Sequence, residues 1–221
     1  YLTLLGNYQI GRLRYSLPDQ PLPVDNHSSL SLAQLLGSDD AELFHQLFER
    51  YALHSGVAGV QPKILMDVRN TDANTHNNHG ADANPLIDKA TLPLKKYIVK
   101  SWGAEFPELA CNEFLCLTLA RNAGLTTPNF YLSDNGKLLV CERFDIDEQD
   151  QPLGFEDFCV LQGKTTQQKY ESSIEACAGT IIQFVSPEHL QQSLADFFKL
   201  TLLNIKIKNG DAHLKNLGVL Y

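Results

Sequence analysis

The order of its hydrophobic periodicities constrains the fold of this 221-residue chain more than any single motif. Up to residue 145 apolar residues recur in short runs bounded by polar turns, as in Ile64-Leu65-Met66, Tyr97-Ile98-Val99 and Leu138-Leu139-Val140-Cys141. Such runs predict strands, with a further strand pair in residues 1–20. Two helical stretches are set among them: a Leu- and Phe-rich region from Ser31 to Tyr51, and Pro107 to Ala123 with Gly124 as its stop. After Asp145 the pattern turns helical, around Ser173 to Val185 and again from Pro187 to about Ile205, with Pro187 suited to a first turn. A sheet-rich part followed by a helix-rich part predicts an α+β chain of two lobes, 1–145 and 146–221. The loop from Val68 to Pro85 is dominated by Asn, Asp, His and Ala and reads as an insertion. His76 and His79 within it lack Cys or Glu partners at ligand spacing, so they are not read as a metal site.

The segment with most chemical content is Asn209-Gly210-Asp211-Ala212-His213-Leu214-Lys215-Asn216, followed by the apolar Leu217 to Tyr221. An Asp and an Asn five apart, with a Lys between them, have the spacing of a phosphotransferase catalytic loop. The chemistry asks for that separation because the two side chains must converge on one transferring phosphoryl group. The same composition also suits a plain polar turn.

Three upstream segments stand in the order a kinase requires. Ser55-Gly56-Val57-Ala58-Gly59-Val60-Gln61-Pro62-Lys63 is a small-residue run whose glycines let backbone N–H groups approach phosphate oxygens. Taken alone it reads first as a Gly-containing hairpin turn. Lys96 to Trp102 alternates as a strand and carries Lys100, while Glu113 follows on a helix; a strand lysine paired with a helix glutamate is how kinases fix their phosphate-binding lysine. Lys137 to Asp145 is a buried-looking strand that breaks into Glu142-Arg143-Phe144-Asp145, where backbone groups and an aromatic could meet an adenine ring or simply form a surface charge cluster. Gly163-Lys164-Thr165 is rejected as a Walker-type loop, since Phe158 stands where its leading Gly would be.

Together with Asn112-Glu113-Phe114, Gln168-Lys169-Tyr170-Glu171 and the segment Leu5 to Leu13 with its Gly6 and Gly11, these motifs resemble the HipA family. Its members are bacterial serine/threonine kinase toxins of type II toxin–antitoxin systems. The resemblance spans nearly the whole chain and implies a two-lobed protein-kinase-like fold whose C-terminal lobe is incomplete here. It implies Asp211 as catalytic base, His213 and Asn216 at the nucleotide and magnesium, and Lys215 beside the transferring phosphate. It further implies Lys100 on the phosphates, Ala58, Gly59, Val60, Gln61, Pro62 and Lys63 as the phosphate-covering loop, and Glu142, Arg143 and Phe144 as the adenine hinge. ATP and Mg2+ follow as cofactors. The implied partners are a HipB-like DNA-binding antitoxin, a separate HipS-like small subunit, and a protein substrate such as an aminoacyl-tRNA synthetase.

Two departures from the family pattern stand out. Members carry a second magnesium-binding Asp, in a Tyr-Asp pair, shortly after the strand that follows the catalytic loop, whereas this chain reaches only Tyr221. With a start at Tyr1 and no small N-terminal subdomain, both ends read as cut from a longer protein. Several members also phosphorylate a serine inside the phosphate loop; Gly56 stands at that position here, which leaves the neighbouring Ser55 as the candidate autophosphorylation site.

Composition agrees with this reading. A hydrophobic content of 43% supports a buried core, and a net charge of −8 argues against a nucleic-acid-binding surface. Cys111, Cys116, Cys141, Cys159 and Cys177 form no C-x-x-C pair and read as reduced thiols of a cytoplasmic protein. No apolar stretch reaches membrane-spanning length. The expectation is an ATP-dependent serine/threonine protein kinase acting as a toxin. A catalytically inactive nucleotide- and antitoxin-binding module, or a small-molecule kinase, are the alternatives.

Overall fold

The structure is a computed structural model that describes residues 8–19, 30–38, 43, 46, 47, 49, 55–56, 63–69, 94–101 and 106–221. Residues 58–62 of the phosphate loop read at 58–63, and most of the loop read at 68–85, therefore lie outside the described residues. The chain divides into two compact units: Tyr1–Gln9, Arg14–Phe114 and Pro128–Arg143 form one, and Ile10–Leu13, Leu115–Thr127 and Phe144–Tyr221 the other.

The first unit is built on an antiparallel sheet of four strands: β3 (Lys63–Arg69), β4 (Leu94–Ser101), β5 (Phe130–Leu132) and β6 (Leu138–Glu142), in the order β3-β4-β6-β5. Two short strands, β1 (Tyr8–Gln9) and β2 (Ser55–Gly56), pair in parallel. Successive side chains of a strand point to opposite faces, so the register sorts the sheet's residues. Ile64, Met66, Val68, Tyr97, Val99, Leu138 and Val140 fall on one face, where they form a core with Leu35 and Leu47. Leu35 comes from α1 (Leu32–Leu36), started by a capping box in which Ser31 Oγ accepts from Gln34 N–H while Gln34 Oε1 accepts from Ser31 N–H. Leu65, Ile98, Leu139, Cys141 and Phe130 fall on the opposite face. There Phe114 of α2 (Leu109–Asn122) meets Phe130 edge-to-face, with ring centroids 5.3 Å apart. β3 runs to Arg69, two residues into what the sequence pattern assigns to the polar loop, because Val68 is fully buried and stays in register with Lys95.

α2 ends where the sequence predicts: Gly124 adopts φ +76° and donates to Arg121 O, while Leu125 N–H reaches Ala120 O, closing a Schellman motif. In the second unit, α3 (Phe158–Leu161), α4 (Ile174–Phe184) and α5 (Pro187–Lys206) gather around Phe158, Cys159, Cys177, Ile181 and Leu214. Ser173 caps α4 through Ala176 N–H, and Pro187 occupies the first turn of α5, as its sequence position predicts. A two-stranded antiparallel ribbon, β7 (Phe155–Asp157) with β8 (Gly218–Leu220), completes this unit. Gly11 belongs to it as well: its N–H donates to the fully buried Asp145 Oδ2 at 2.6 Å, and its φ of +84° suits glycine. The fold is thus α+β, with an antiparallel sheet in one unit and mainly helices in the other. The described cysteines are all free thiols. Among the described residues no helix is long and apolar enough to cross a membrane.

Candidate active site

Antiparallel pairing of β3 and β4 sets Lys63 directly opposite Lys100, so both leave the same face of the sheet. That face is the one met by Phe114 of α2, whose Glu113 accepts a hydrogen bond and ion pair from Lys100 Nζ. The strand fixes the height of the lysine and the helix delivers the carboxylate one turn into α2. Neither group is fully exposed, so the pair orients the ammonium more firmly than a surface ion pair would. Cys141 lies on the same face; burial pushes its thiol up to about 11, against a smaller downward pull from Lys100 and an upward one from Glu113.

The end of β6 is held by main-chain bonds. Glu142 N–H donates to Asn129 O at 2.8 Å, and Arg143 N–H to Lys96 O at 2.9 Å. Glu142 Oε2 accepts from Asn129 Nδ2 at 3.0 Å, while the buried Arg143 guanidinium donates to Gln9 O at 2.6 Å. The backbone amides of Glu142 and Arg143 are therefore both taken by protein acceptors. Phe144 opens the second unit, partly exposed and edge-on to Phe155 at 5.6 Å. Ser55 pairs with Tyr8 through its backbone in β2.

In the second unit the loop after α5 is fastened at both ends. Lys208, at φ +56°, donates to Ile205 O and Asn209 N–H to Asn204 O, a Schellman closure with Lys where glycine is usual. Downstream, Leu214 is buried in the core, its N–H donates to Lys169 O at 3.0 Å, and Leu217 O accepts from Phe158 N–H at 3.0 Å. Between these anchors Asp211 is presented outward, its side chain 71% exposed. Asn209 Oδ1 accepts from Asp211 N–H at 3.0 Å, and Asn216 Nδ2 donates to Asp211 O at 2.5 Å while lying 3.4 Å from Oδ2. The five-residue spacing is thus spent on a short 3-10 turn, Leu214–Asn216, that folds Asn216 back onto Asp211.

His213 is 92% buried, by its 8% side-chain exposure, with Nε2 3.6 Å from Asp211 Oδ1. Its Nδ1 has no hydrogen-bond partner among the described residues. The loop also walls a cavity of about 510 Å³ together with Phe197, Thr201 and Asn204 of α5. Lys215 points elsewhere: its Nζ donates to Asp157 Oδ2 at 2.7 Å, while Asp157 Oδ1 caps α3 through Val160 N–H at 3.0 Å. Tyr170 completes the group, its hydroxyl donating to Asp211 Oδ1 at 3.0 Å.

The two halves therefore gather Lys63, Lys100 and Glu113 in one unit, and Asp211, His213, Asn216 and Tyr170 in the other. Sequence reasoning singles out all of these but gives Tyr170 and the neighbouring Asn209 no role, and it misses Asp157. An Asp directly before an apolar helical run is a recognisable N-cap signal, so Asp157 was findable as a cap; its bond to Lys215 was not. Among the described residues no group of three or more His, Cys, Asp or Glu side chains could hold a metal ion by itself.

A family model described as the HipA-like C-terminal domain matches residues 55–221. Two curated relatives carry the name “Putative kinase”. Y4mE of Sinorhizobium fredii is 29% identical, over 93% of this chain and 47% of its own; a Haemophilus influenzae protein is 26% identical, over 75% of this chain and 47% of its own. The chain spans about half the length of these relatives. Among solved structures, HipA from Shewanella oneidensis, in a toxin–antitoxin complex with HipB and its operator DNA, has the same fold at a TM-score of 0.59 and 23% identity. The match covers 96% of this chain and 51% of that one.

Proposed function

Because the chain belongs to the HipA-like C-terminal domain family, we propose that it is the kinase part of an ATP-dependent serine/threonine protein kinase that acts as the toxin of a toxin–antitoxin system. The observation that carries this reading is the catalytic loop: an exposed carboxylate, Asp211, on a loop pinned at both ends, with Asn216 folded back onto it. Asp211 accepts the proton of the substrate hydroxyl; an oriented, solvent-facing carboxylate suits that task. Lys100, oriented by Glu113, binds the ATP phosphates, and Lys63 opposite it adds a second cation to the same face of the sheet.

Asn216 fits a magnesium ligand. Its Nδ2 is engaged with Asp211, which leaves Oδ1 as a hard oxygen donor of the kind magnesium prefers. Bound there with phosphate oxygens and water, the cation would neutralise charge on the transferring group. His213 and Lys215, by contrast, contribute through structure: His213 as a buried wall beside Asp211, and Lys215 as the anchor of the loop to Asp157.

The target class we propose is a translation factor such as an aminoacyl-tRNA synthetase, on the strength of the family resemblance. A HipB-like antitoxin partner is supported by the Shewanella complex, in which the related fold is bound to HipB and DNA. The test is to incubate the full-length protein with labelled ATP, magnesium and a cell extract beside Asp211→Asn. A labelled protein band that vanishes in the variant supports the kinase, and its mass spectrum names the target. ATP binding without transfer points to an inactive antitoxin-binding module, and label on a metabolite to a small-molecule kinase.

A further inference from the structure

We propose that Tyr170 is a positioning residue for Asp211, holding the carboxylate in the rotamer that receives the acceptor hydroxyl. The inference rests on the reading of Asp211 as the base and adds a residue from a separate stretch of chain. Tyr170 is 61% exposed, yet its hydroxyl is placed 3.0 Å from Asp211 Oδ1. Its ring stands edge-on to the buried His213, with centroids 5.0 Å apart and planes at 81°. Lys169 Nζ lies 5.0 Å from the centre of the same ring.

The backbone leading to Tyr170 is as firmly set as its ring. Thr165 N–H and Oγ1 both donate to Gln168 Oε1 at 3.1 Å across the 3-10 turn Thr166–Gln168, and Glu171 N–H returns to Gln168 O at 2.9 Å. Lys169 O accepts from Leu214 N–H, which ties this segment directly to the catalytic loop. The tyrosine is therefore carried by a braced turn whose main chain is bonded to the loop it serves.

The physical need is plain. A carboxylate so exposed, left alone, samples several rotamers, and each misplacement costs rate. Asn216 approaches Oδ2 at 3.4 Å and Tyr170 donates to Oδ1 at 3.0 Å, so the two oxygens are addressed from two sides. Each carboxylate oxygen has two acceptor sites, so Oδ1 can hold the phenol and still receive the hydroxyl proton of the substrate.

The experiment compares full-length wild type, Tyr170→Phe, Tyr170→Ala and Asp211→Asn in steady-state phosphoryl transfer. Loss of a hydrogen bond to a charged group predicts a kcat about tenfold lower in Tyr170→Phe, with KM for ATP unchanged. A Tyr170→Phe enzyme equal to wild type would assign the role to the ring alone and overturn the proposal. A faster one would make the phenol a plug, and parallel losses in kcat, KM and melting temperature would make it structural; both overturn it too. If Asp211→Asn transfers as well as wild type, the base assignment fails. A second reading is independent of turnover: the 13Cζ resonance of Tyr170, identified by its absence in Tyr170→Phe, should move in Asp211→Ala. An unmoved resonance overturns the hydrogen bond itself.

Discussion

Replacing Asp157 separates two jobs done by one carboxylate. Oδ1 caps α3 through Val160 N–H at 3.0 Å, and Oδ2 receives Lys215 Nζ at 2.7 Å, with side chains 14% and 23% exposed. A cap of this kind contributes about 1 kcal/mol. A hydrogen bond between charged groups contributes about 1.5–3 kcal/mol, toward the lower end here because the lysine stem can swing its ammonium to water. Asp157→Ser keeps a capping oxygen and loses the bridge, so it should cost about 1.5–2 kcal/mol. Asp157→Ala loses both and should cost about 2.5–3 kcal/mol, which for a chain of this size lowers the melting temperature by roughly 5–12 °C. Urea denaturation followed by far-UV circular dichroism measures the ladder. Lys215→Met should match Asp157→Ser and add little to it, because the two remove one interaction. If Asp157→Ser stays within about 0.5 kcal/mol of wild type, the bridge does not hold the loop; if Ala and Ser coincide, the cap is idle.

Further outcomes follow from the same geometry. Glu113→Gln removes the charge that orients Lys100, and should raise KM for ATP about tenfold with a smaller change in kcat; an unchanged KM would detach the pair from nucleotide binding. Cys141, with its thiol raised from 9.0 to about 11, loses its proton more readily unfolded than folded. Its contribution is therefore complete below pH 9 and is lost as pH rises through 11, at most about 2–3 kcal/mol. Cys141→Val should flatten the fall in stability over that window relative to wild type, and parallel pH profiles would refute the assignment. Leu214→Ala opens a cavity beneath the loop that carries Asp211 and should cost about 2–5 kcal/mol, read by denaturation. An intact stability would mean that the loop is not anchored through the core.

Much of the helical framework was legible because its signals are local. Gly124 beyond α2 acts through hydrogen bonds a few residues long and Pro187 through its fixed φ at the first turn of α5, and the structure has both at work. The pairing of Lys100 with Glu113 was legible for a related reason: a strand and the next helix bring residues 13 apart together across a short connection. Lys215 shows the limit. Its place in the motif suggests a phosphate contact, and only the pairing of β7 with β8 brings Asp157, 58 residues earlier, beside it. The two amides near the end of β6 were likewise invisible as engaged groups, because their acceptors, Asn129 O and Lys96 O, lie on other segments of the first unit.

By itself the sequence determined the order of strands and helices, the helix ends at Gly124 and Pro187, and the spacing that lets Asn216 turn back onto Asp211. These follow from residue type and from separations along the chain that a turn or two of backbone can close. Tertiary structure decided which partners those residues take: Tyr170 on Asp211, Asp157 on Lys215, Asp145 on Gly11. The physical reason is range. A cap or a turn is set by neighbours in sequence, whereas a hydrogen bond across 41, 58 or 134 residues exists only after sheet register and helix packing have placed both ends.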